Sequence, residues 1–468
     1  MEKCLNGVRR ALLAVSANEG LFLFAAFFNT AVLGMDIFAF HREQTTAFYT
    51  YVMVPWGMAL CLHRLWRRAQ MRPAGDMGGE IWILSWLFAW VVAPFAIRFG
   101  LTFNNVTAWY GYAVVYFAIY AAVSQAEPAV RRDRLKQVSF LFVALSYLLG
   151  GALLYCVVTV QNFGAELGGA VFGVSDGVLW GGVNCNITAM VAMCCAILCL
   201  AAVSCARHGA GKAFCAAPAV MMMAVVVLTQ CRTARYSLLL ALSAGCFSLV
   251  FEALCGRKRL LRWCVSAFCA AVVLCAGYLL AAWLTQAALA HYAASAAGGA
   301  ALAPREAIDA TFSFRTEIWK NLFDYWRENP KYLLIGNGVG RTGRHIVHGT
   351  VYEALGSIAV HNTYLQWIAD FGMIGFALQA AFLLMAAGHA ITVFLGREGV
   401  RTSSIPGGRA MCMVAVGTLA TGMMESAPLG AMTPTNLALY FALAQLCGMS
   451  REMRREASAG LRVGADQT

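Results

Sequence analysis

Long apolar runs, each of about twenty residues and separated by short basic segments, recur along almost the whole chain. A helix needs roughly 20 mainly apolar residues to cross the hydrocarbon core of a bilayer. Only 12% of the 468 residues are charged, which is too few to cover a soluble protein of this length. We therefore predict an all-α polytopic membrane protein. The run after Arg10 is longer than the core of a cleavable signal peptide, so we expect a retained first helix.

The periodicity and length of the apolar runs predict about twelve transmembrane helices. They lie near 14–34, 47–63, 81–97, 106–123, 137–160, 186–206, 213–229, 236–255, 263–285, 372–395, 410–428 and 430–449. The predicted organisation is helices one to nine in 1–285, an extracytoplasmic loop in 286–360, helices ten to twelve in 361–449 and a basic cytoplasmic tail in 450–468.

The positions of lysine and arginine predict the orientation. If the N-terminus is cytoplasmic, most of the 35 basic residues fall in the inner segments, and the short outer loops hold only Arg42, Arg98, Arg232 and Arg235. Basic residues concentrate in cytoplasmic loops, so both termini are predicted to be cytoplasmic. The net charge of +12 then reflects topology and attraction to anionic lipid, and we expect no nucleic-acid binding.

Two of the outer arginines, Arg232 and Arg235, lie in one short turn between predicted helices. Basic residues are uncommon in outer loops, so the presence of two arginines in this turn needs an explanation. Either the side chains reach the phosphates of the outer leaflet, or they form an anion site. Guanidinium groups suit such a site because they stay charged and bind phosphate oxygens bidentately.

The long outer loop contains a predicted amphipathic helix over 311–326. Its apolar positions recur every four residues: Phe314, Ile318, Leu322 and Trp326. Such a helix lies on the membrane or against the bundle. Arg315 and Trp319 lie one turn apart on its flank. Arg315 is either part of an ordinary solvated face or a second cation of an anion site.

A glycine-rich segment follows, in which Gly338, Gly340 and Gly343 satisfy the pattern GxGxxG. The match carries little weight, because no βαβ unit surrounds it. Either the segment is a plain turn, or its backbone N–H groups approach an anion.

His361 lies where the loop meets predicted helix ten. It is either an interfacial histidine or a general base, because imidazole titrates near neutrality. A metal site with His345 and His348 is a further alternative, but no HExxH motif or paired carboxylate supports it. Glu19 and Glu425 are carboxylates inside or at the edge of apolar spans, and such groups tend to be paired and functional.

The order of these motifs resembles the O-antigen ligase and polymerase family. Arg232 in a short outer turn is followed by FRTEIW, a glycine turn and HNTYLQWIADFGMIG, and the resemblance covers mainly 215–395. It implies a GT-C-like, metal-independent glycosyltransferase without a cofactor. The implied reaction transfers an oligosaccharide from an undecaprenyl-diphosphate carrier to an acceptor glycan or glycolipid, on the outer face of the cytoplasmic membrane of a bacterium.

The resemblance also implies roles for residues. Arg232 and Arg315 would hold the diphosphate, and His361 would act on the acceptor hydroxyl. The accessory candidates are Arg235, Trp319, Asn362 and Glu425. The family's usual serine before the first arginine is Cys231 here. These residues do not separate a ligase from a polymerase.

Two other function classes remain open on the sequence. A polytopic transporter of a lipid-linked sugar would concentrate polar groups near the bilayer midplane, whereas the candidates here lie at the predicted outer face. A non-catalytic scaffold would not bring the arginines together.

Overall fold

The computed structural model is almost entirely helical over the residues that it describes. These are residues 18–29, 47–61, 103–163, 171–182, 184–295, 315–338, 341–350, 353–396, 406–425 and 433–465. The predicted span at 81–97 and the outer arginines Arg42 and Arg98 lie outside them.

We number the described helices in chain order. They are α1 (Glu19–Phe28), α2 (Phe103–Ser124), α3 (Pro128–Thr159), α4 (Cys185–Cys205), α5 (Gly209–Leu228), α6 (Arg232–Ala253), α7 (Arg259–Ser295), α8 (Arg315–Glu328), α9 (Pro330–Ile335), α10 (Thr342–Ile346), α11 (Thr363–Leu395), α12 (Gly408–Thr421) and α13 (Pro434–Ala465). A π-helical turn spans Tyr49–Met53 and a 3-10 turn spans Glu353–Leu355.

Six of the described helices, α3, α4, α5, α6, α7 and α11, are long and apolar enough to cross a membrane. This finding agrees with a polytopic all-α protein. Helix α4 is the centre of the bundle, since almost every residue from Cys185 to Ala202 is buried. A helix that is apolar on all sides is stable only when neighbours surround it. Helix α7 continues to Ser295, past the predicted span end at 285.

A β-hairpin that we did not predict covers one end of the bundle. Strands β1 (Val171–Ser175) and β2 (Val178–Gly182) pair antiparallel. Asp176 and Gly177 form the two-residue turn with φ of 51° and 75°, and Asp-Gly favours this geometry. The hairpin contacts the start of α4, where the N–H of Gly181 donates to Thr188 Oγ1 at 3.1 Å.

Ion pairs tie the helices together at the opposite end. They join Arg131 and Arg132 to Glu452, Arg134 to Glu19, and Arg409 to Glu252. All four arginines belong to segments predicted to be cytoplasmic. Glu19 and Glu425, the two carboxylates predicted in or at the edge of apolar spans, lie at opposite ends of the bundle. Glu19 pairs with Arg134 near the start of α3, whereas Glu425 follows the far end of α12.

The loop helix α8 packs on the protein through its predicted apolar face. Ile318, Leu322 and Trp326 are buried together with residues from α10 and the start of α11. Phe314 lies outside the described residues, and Phe323 is 54% exposed. Of the two predicted surroundings, membrane or bundle, the structure shows contact with the bundle.

Helix α11 contains a break at Gly372, where φ is 69° and ψ is 179°. The break exposes backbone carbonyls, and the glycine turn after α9 satisfies them. The N–H of Asn337 donates to Ala369 O at 2.9 Å, and the N–H of Gly338 donates to Asp370 O at 3.1 Å. These two N–H groups bind protein carbonyls and are not available to an anion. Of the two predicted alternatives, residues 337–338 therefore form a turn that binds α11 and not an anion site.

Candidate active site

The candidate site is built around the carboxylate of Glu425, which is buried just after α12. Arg315 Nη2 donates to its Oε1 at 2.8 Å, and His361 Nδ1 lies 3.4 Å from its Oε2. Asn186 Nδ2 donates to Oε1 at 3.3 Å. Three segments that are distant in sequence therefore meet on one acidic group.

The backbone around Glu425 is tied to the start of α11. Thr363 Oγ1 donates to Glu425 O at 2.7 Å, and the N–H of Thr363 donates to Gly422 O at 2.7 Å. Asn362 Nδ2 donates to Met423 O at 2.8 Å. These bonds fix the carboxylate relative to the loop that carries His361.

His361 has a left-handed backbone with φ of 53°. A non-glycine residue in this region costs about 1–3 kcal/mol, which surrounding contacts must offset. Asn362 supplies one such contact, because its Oδ1 caps α11 by accepting from the N–H groups of Tyr364 and Leu365. On the other side, Val360 O accepts from Trp319 Nε1 at 2.9 Å. Hydrogen bonds of both neighbouring residues, Val360 and Asn362, thus fix the backbone at His361.

The imidazole of His361 is oriented by Glu425 and still reaches solvent. Its side chain is 32% exposed, compared with 8% for Glu425. Nδ1 faces the carboxylate, and within the described part of the chain the ring makes no other hydrogen bond. A carboxylate on Nδ1 leaves Nε2 as the nitrogen that can accept a proton.

Arg315 is the first residue of α8, and its side chain is 11% exposed. The helix that carries it is anchored at several points. Trp319 bonds to Val360 as described, and Asn321 Nδ2 donates to the carbonyls of Ile346 and His348 at 3.0 and 2.8 Å. The loop therefore presents Arg315 to the bundle from a fixed position.

Arg232 and Arg235 lie at the same end of the bundle, in the first turn of α6. Arg232 is half-buried and Arg235 is buried. The turn before them is fixed by Gln230, which has φ of 51° and donates through Nε2 to Gly177 O at 2.7 Å. The hairpin thus connects this turn to the start of α4, which carries Asn186.

The structure brings together Arg315, His361 and Glu425 among the predicted residues. Trp319 and Asn362 support the loop and the helix start around His361. Arg232 and Arg235 reach the same end of the bundle on α6, whereas the bonds to Glu425 come from Arg315, His361 and Asn186.

The loop histidines have separate surroundings. The ring of His345 stacks on Tyr325 with centroids 4.7 Å apart, and burial raises the pKa of Tyr325 to about 12. His348 Nδ1 lies 3.2 Å from Glu353, and this hydrogen bond lowers the pKa of the Glu353 carboxyl. His361 lies beside Glu425. Within the described residues, no group of three His, Cys, Asp or Glu side chains is arranged to hold a metal.

One region of the chain is similar to a known protein family. Residues 217–380 match the O-antigen ligase family. The match confirms the predicted resemblance over a region that contains Arg232, Arg315 and His361. It supports a glycosyltransferase-type reaction between a lipid-linked glycan donor and an acceptor glycan in a membrane. No curated protein matches the chain.

The O-antigen ligase region does not include every residue of the site. Glu425 and Asn186 lie outside it. Glu425 was detectable as a carboxylate in an apolar span. Asn186 was missed, although an amide at the start of an otherwise apolar helix is a comparable signal. The role of Gln230 was also missed, because it depends on the hairpin.

Proposed function

We propose that the protein is a membrane glycosyltransferase of the O-antigen ligase or polymerase type. Its donor is an oligosaccharide on undecaprenyl diphosphate, and its acceptor is a glycan or glycolipid at the outer face of the membrane. The observation that carries this proposal is the meeting of Arg315 and His361 on Glu425, at the end of the bundle where Arg232 begins α6.

Arg232 and Arg315 bind the diphosphate. When the bond between the sugar's anomeric carbon and the diphosphate breaks, negative charge grows on the leaving phosphate oxygen. Guanidinium groups that are bound to the diphosphate stabilise that charge more strongly in the transition state than in the ground state of the donor. Two such cations supply this stabilisation without a metal ion, so we propose a metal-independent reaction.

His361 is the general base of the proposed reaction. Its Nε2 takes the proton of the acceptor hydroxyl while the hydroxyl oxygen forms the new glycosidic bond to the anomeric carbon. The products are the extended glycan and undecaprenyl diphosphate, and the proton on His361 then passes to solvent. The partial exposure of the imidazole is consistent with both steps.

We also propose twelve transmembrane helices in a GT-C-like arrangement, in the inner membrane of a bacterium with both termini cytoplasmic. The grouping of Arg131, Arg132, Arg134 and Arg409 at the end of the bundle opposite Glu425 supports this orientation. The site then faces outward, where the acceptor would be met.

The test is transfer by the purified full-length chain in proteoliposomes. A synthetic undecaprenyl-diphosphate oligosaccharide with a fluorescent label serves as the donor. In one arm it is supplied alone, so that a polymerase gives lengthened carrier-linked glycan. In the other arm, lipid-linked glycan extracted from host membranes is added, so that a ligase labels it. A chelator is expected to leave the rate unchanged, and inhibition by it would contradict metal independence.

The arginine roles need a matched control. The double variant Arg232→Ala, Arg315→Ala is expected to slow transfer by at least about 100-fold, the usual loss for charge-stabilising groups. Arg327→Ala is the control, because Arg327 lies on the same helix, is 80% exposed and pairs locally with Asp324. Full activity of the double variant would refute the diphosphate role. Absence of transfer by the wild type in both arms, with movement of the carrier across the bilayer, would favour a transporter.

A further inference from the structure

We propose that Glu425 is a positioning residue that exchanges partners when the donor binds. Before donor binding it holds both Arg315 and His361, and the arriving diphosphate takes Arg315 from it. The inference rests on the proposed function and assigns Glu425 a role within the same site.

The first argument is the sharing of one carboxylate by two groups with different tasks. Arg315 is bound to Oε1 and His361 lies against Oε2. A guanidinium that is paired with a carboxylate has its charge largely neutralised, so it attracts a diphosphate less strongly. It must turn toward the phosphate oxygens to bind them bidentately. A diphosphate carries more negative charge than one carboxylate and can therefore displace it.

The second argument is the place of Asn186. A buried carboxylate that loses its only cation is strongly destabilised. Asn186 stays on Oε1 when Arg315 leaves, and it donates a hydrogen bond without bringing a charge. Glu425 therefore keeps its position and its negative charge. Thr363 fixes the backbone of the same residue, because its hydroxyl donates to the Glu425 carbonyl.

The departure of Arg315 changes the electrostatic surroundings of His361. Among the described residues, the charged and titratable groups in contact with the Glu425 carboxylate are Arg315 from α8 and His361 from the loop before α11. The neutral Asn186 comes from α4. Once Arg315 has moved to the diphosphate, the full charge of Glu425 acts on the imidazole. A carboxylate on Nδ1 stabilises the imidazolium that forms when Nε2 takes a proton. Donor binding thereby makes His361 a better base.

Glu425→Gln separates this role from a merely structural one. Glutamine keeps the shape and the hydrogen bond from Asn186 but has no charge, so Arg315 is released in advance. We expect undecaprenyl diphosphate to bind about tenfold more tightly than to the wild type, the scale of one charge-assisted hydrogen bond. We also expect kcat to fall about tenfold or more because His361 loses its carboxylate. Tighter binding together with slower turnover is not the result of a damaged fold.

Glu425→Asp supplies a second comparison. It keeps the negative charge, so it should return the affinity for undecaprenyl diphosphate toward the wild-type value. If Glu425→Gln does not fold, Glu425→Asp with an affinity about tenfold above the wild type would contradict the exchange.

Glu252→Gln is the matched control, because Glu252 pairs with Arg409 at the opposite end of the bundle. It is expected to leave donor affinity and kcat unchanged. Glu425→Gln with wild-type or weaker affinity for undecaprenyl diphosphate, or with wild-type kcat, would overturn the exchange. A wild type that neither binds undecaprenyl diphosphate nor transfers glycan would instead overturn the proposed function.

Discussion

Replacing Gly372 by alanine should undock the loop from the bundle. Gly372 has φ of 69° and ψ of 179°, a conformation that is almost restricted to glycine and costs an L side chain about 1–3 kcal/mol. A Cβ at this position would also overlap the backbone carbonyl of Leu334, which cannot rotate away as a side chain can. The glycine turn would therefore have to move off α11.

The structure sets the size of this effect. Moving the turn breaks the hydrogen bonds from Asn337 to Ala369 and from Gly338 to Asp370. Each is worth about 0.5–1.5 kcal/mol, so with the backbone cost the docked state should lose about 2–6 kcal/mol. Because each 1.4 kcal/mol is a factor of ten, local opening should become about 30-fold more frequent or more.

Hydrogen–deuterium exchange of the detergent-solubilised protein, resolved by mass spectrometry, measures this opening. Peptides from 315–338 should exchange faster in Gly372→Ala, whereas peptides from α4 should not change. Gly388→Ala is the control, because Gly388 lies in the same helix with open space around its Cβ position. It is expected to be neutral or slightly stabilising. Wild-type exchange over 315–338 in Gly372→Ala would refute this account of the docking.

Three further predictions concern single contacts. Asn362→Ala removes the cap of α11 and should cost about 1–2 kcal/mol, measured as a lower thermal midpoint together with slower transfer, because His361 is no longer fixed. Glu452→Gln leaves the buried Arg131 without its charged partner and should destabilise the bundle by about 3–5 kcal/mol in chemical unfolding, without changing the affinity for undecaprenyl diphosphate. Trp319→Phe removes one hydrogen bond to Val360 and should raise hydrogen exchange at the N-terminal end of α8 by less than about tenfold, whereas a larger rise would mean that packing also fails.

The sequence predicted the parts of the fold that depend on local periodicity. Apolar runs became α3 to α7 and α11, and the four-residue spacing of Ile318, Leu322 and Trp326 became the buried face of α8. These predictions succeed because burial of apolar side chains follows helical geometry.

The site was less predictable because its contacts are long-range. Nothing near Glu425 in the sequence indicates that its partner is Arg315, 110 residues away. The hairpin is a different case. Asp176-Gly177 is a hairpin turn signal, but the segments on either side, VFGVS and VLWGG, do not alternate between apolar and polar residues. Such apolar segments give no clear strand periodicity. The break at Gly372 also escaped prediction, since a single glycine is compatible with a continuous helix.

The distribution of the Glu425 site over separate segments has a consequence for protein engineering. The loop looks like a cassette that could be exchanged between related enzymes to alter the glycan that is accepted. Yet its arginine pairs with an acid after α12, and that acid also accepts a hydrogen bond from an amide at the start of α4. Both the acid and the amide lie outside the O-antigen ligase region. A chimaera that imports only 286–360 would combine a foreign guanidinium with a native carboxylate. Successful exchange should therefore require transplanting the end of α12 together with the loop.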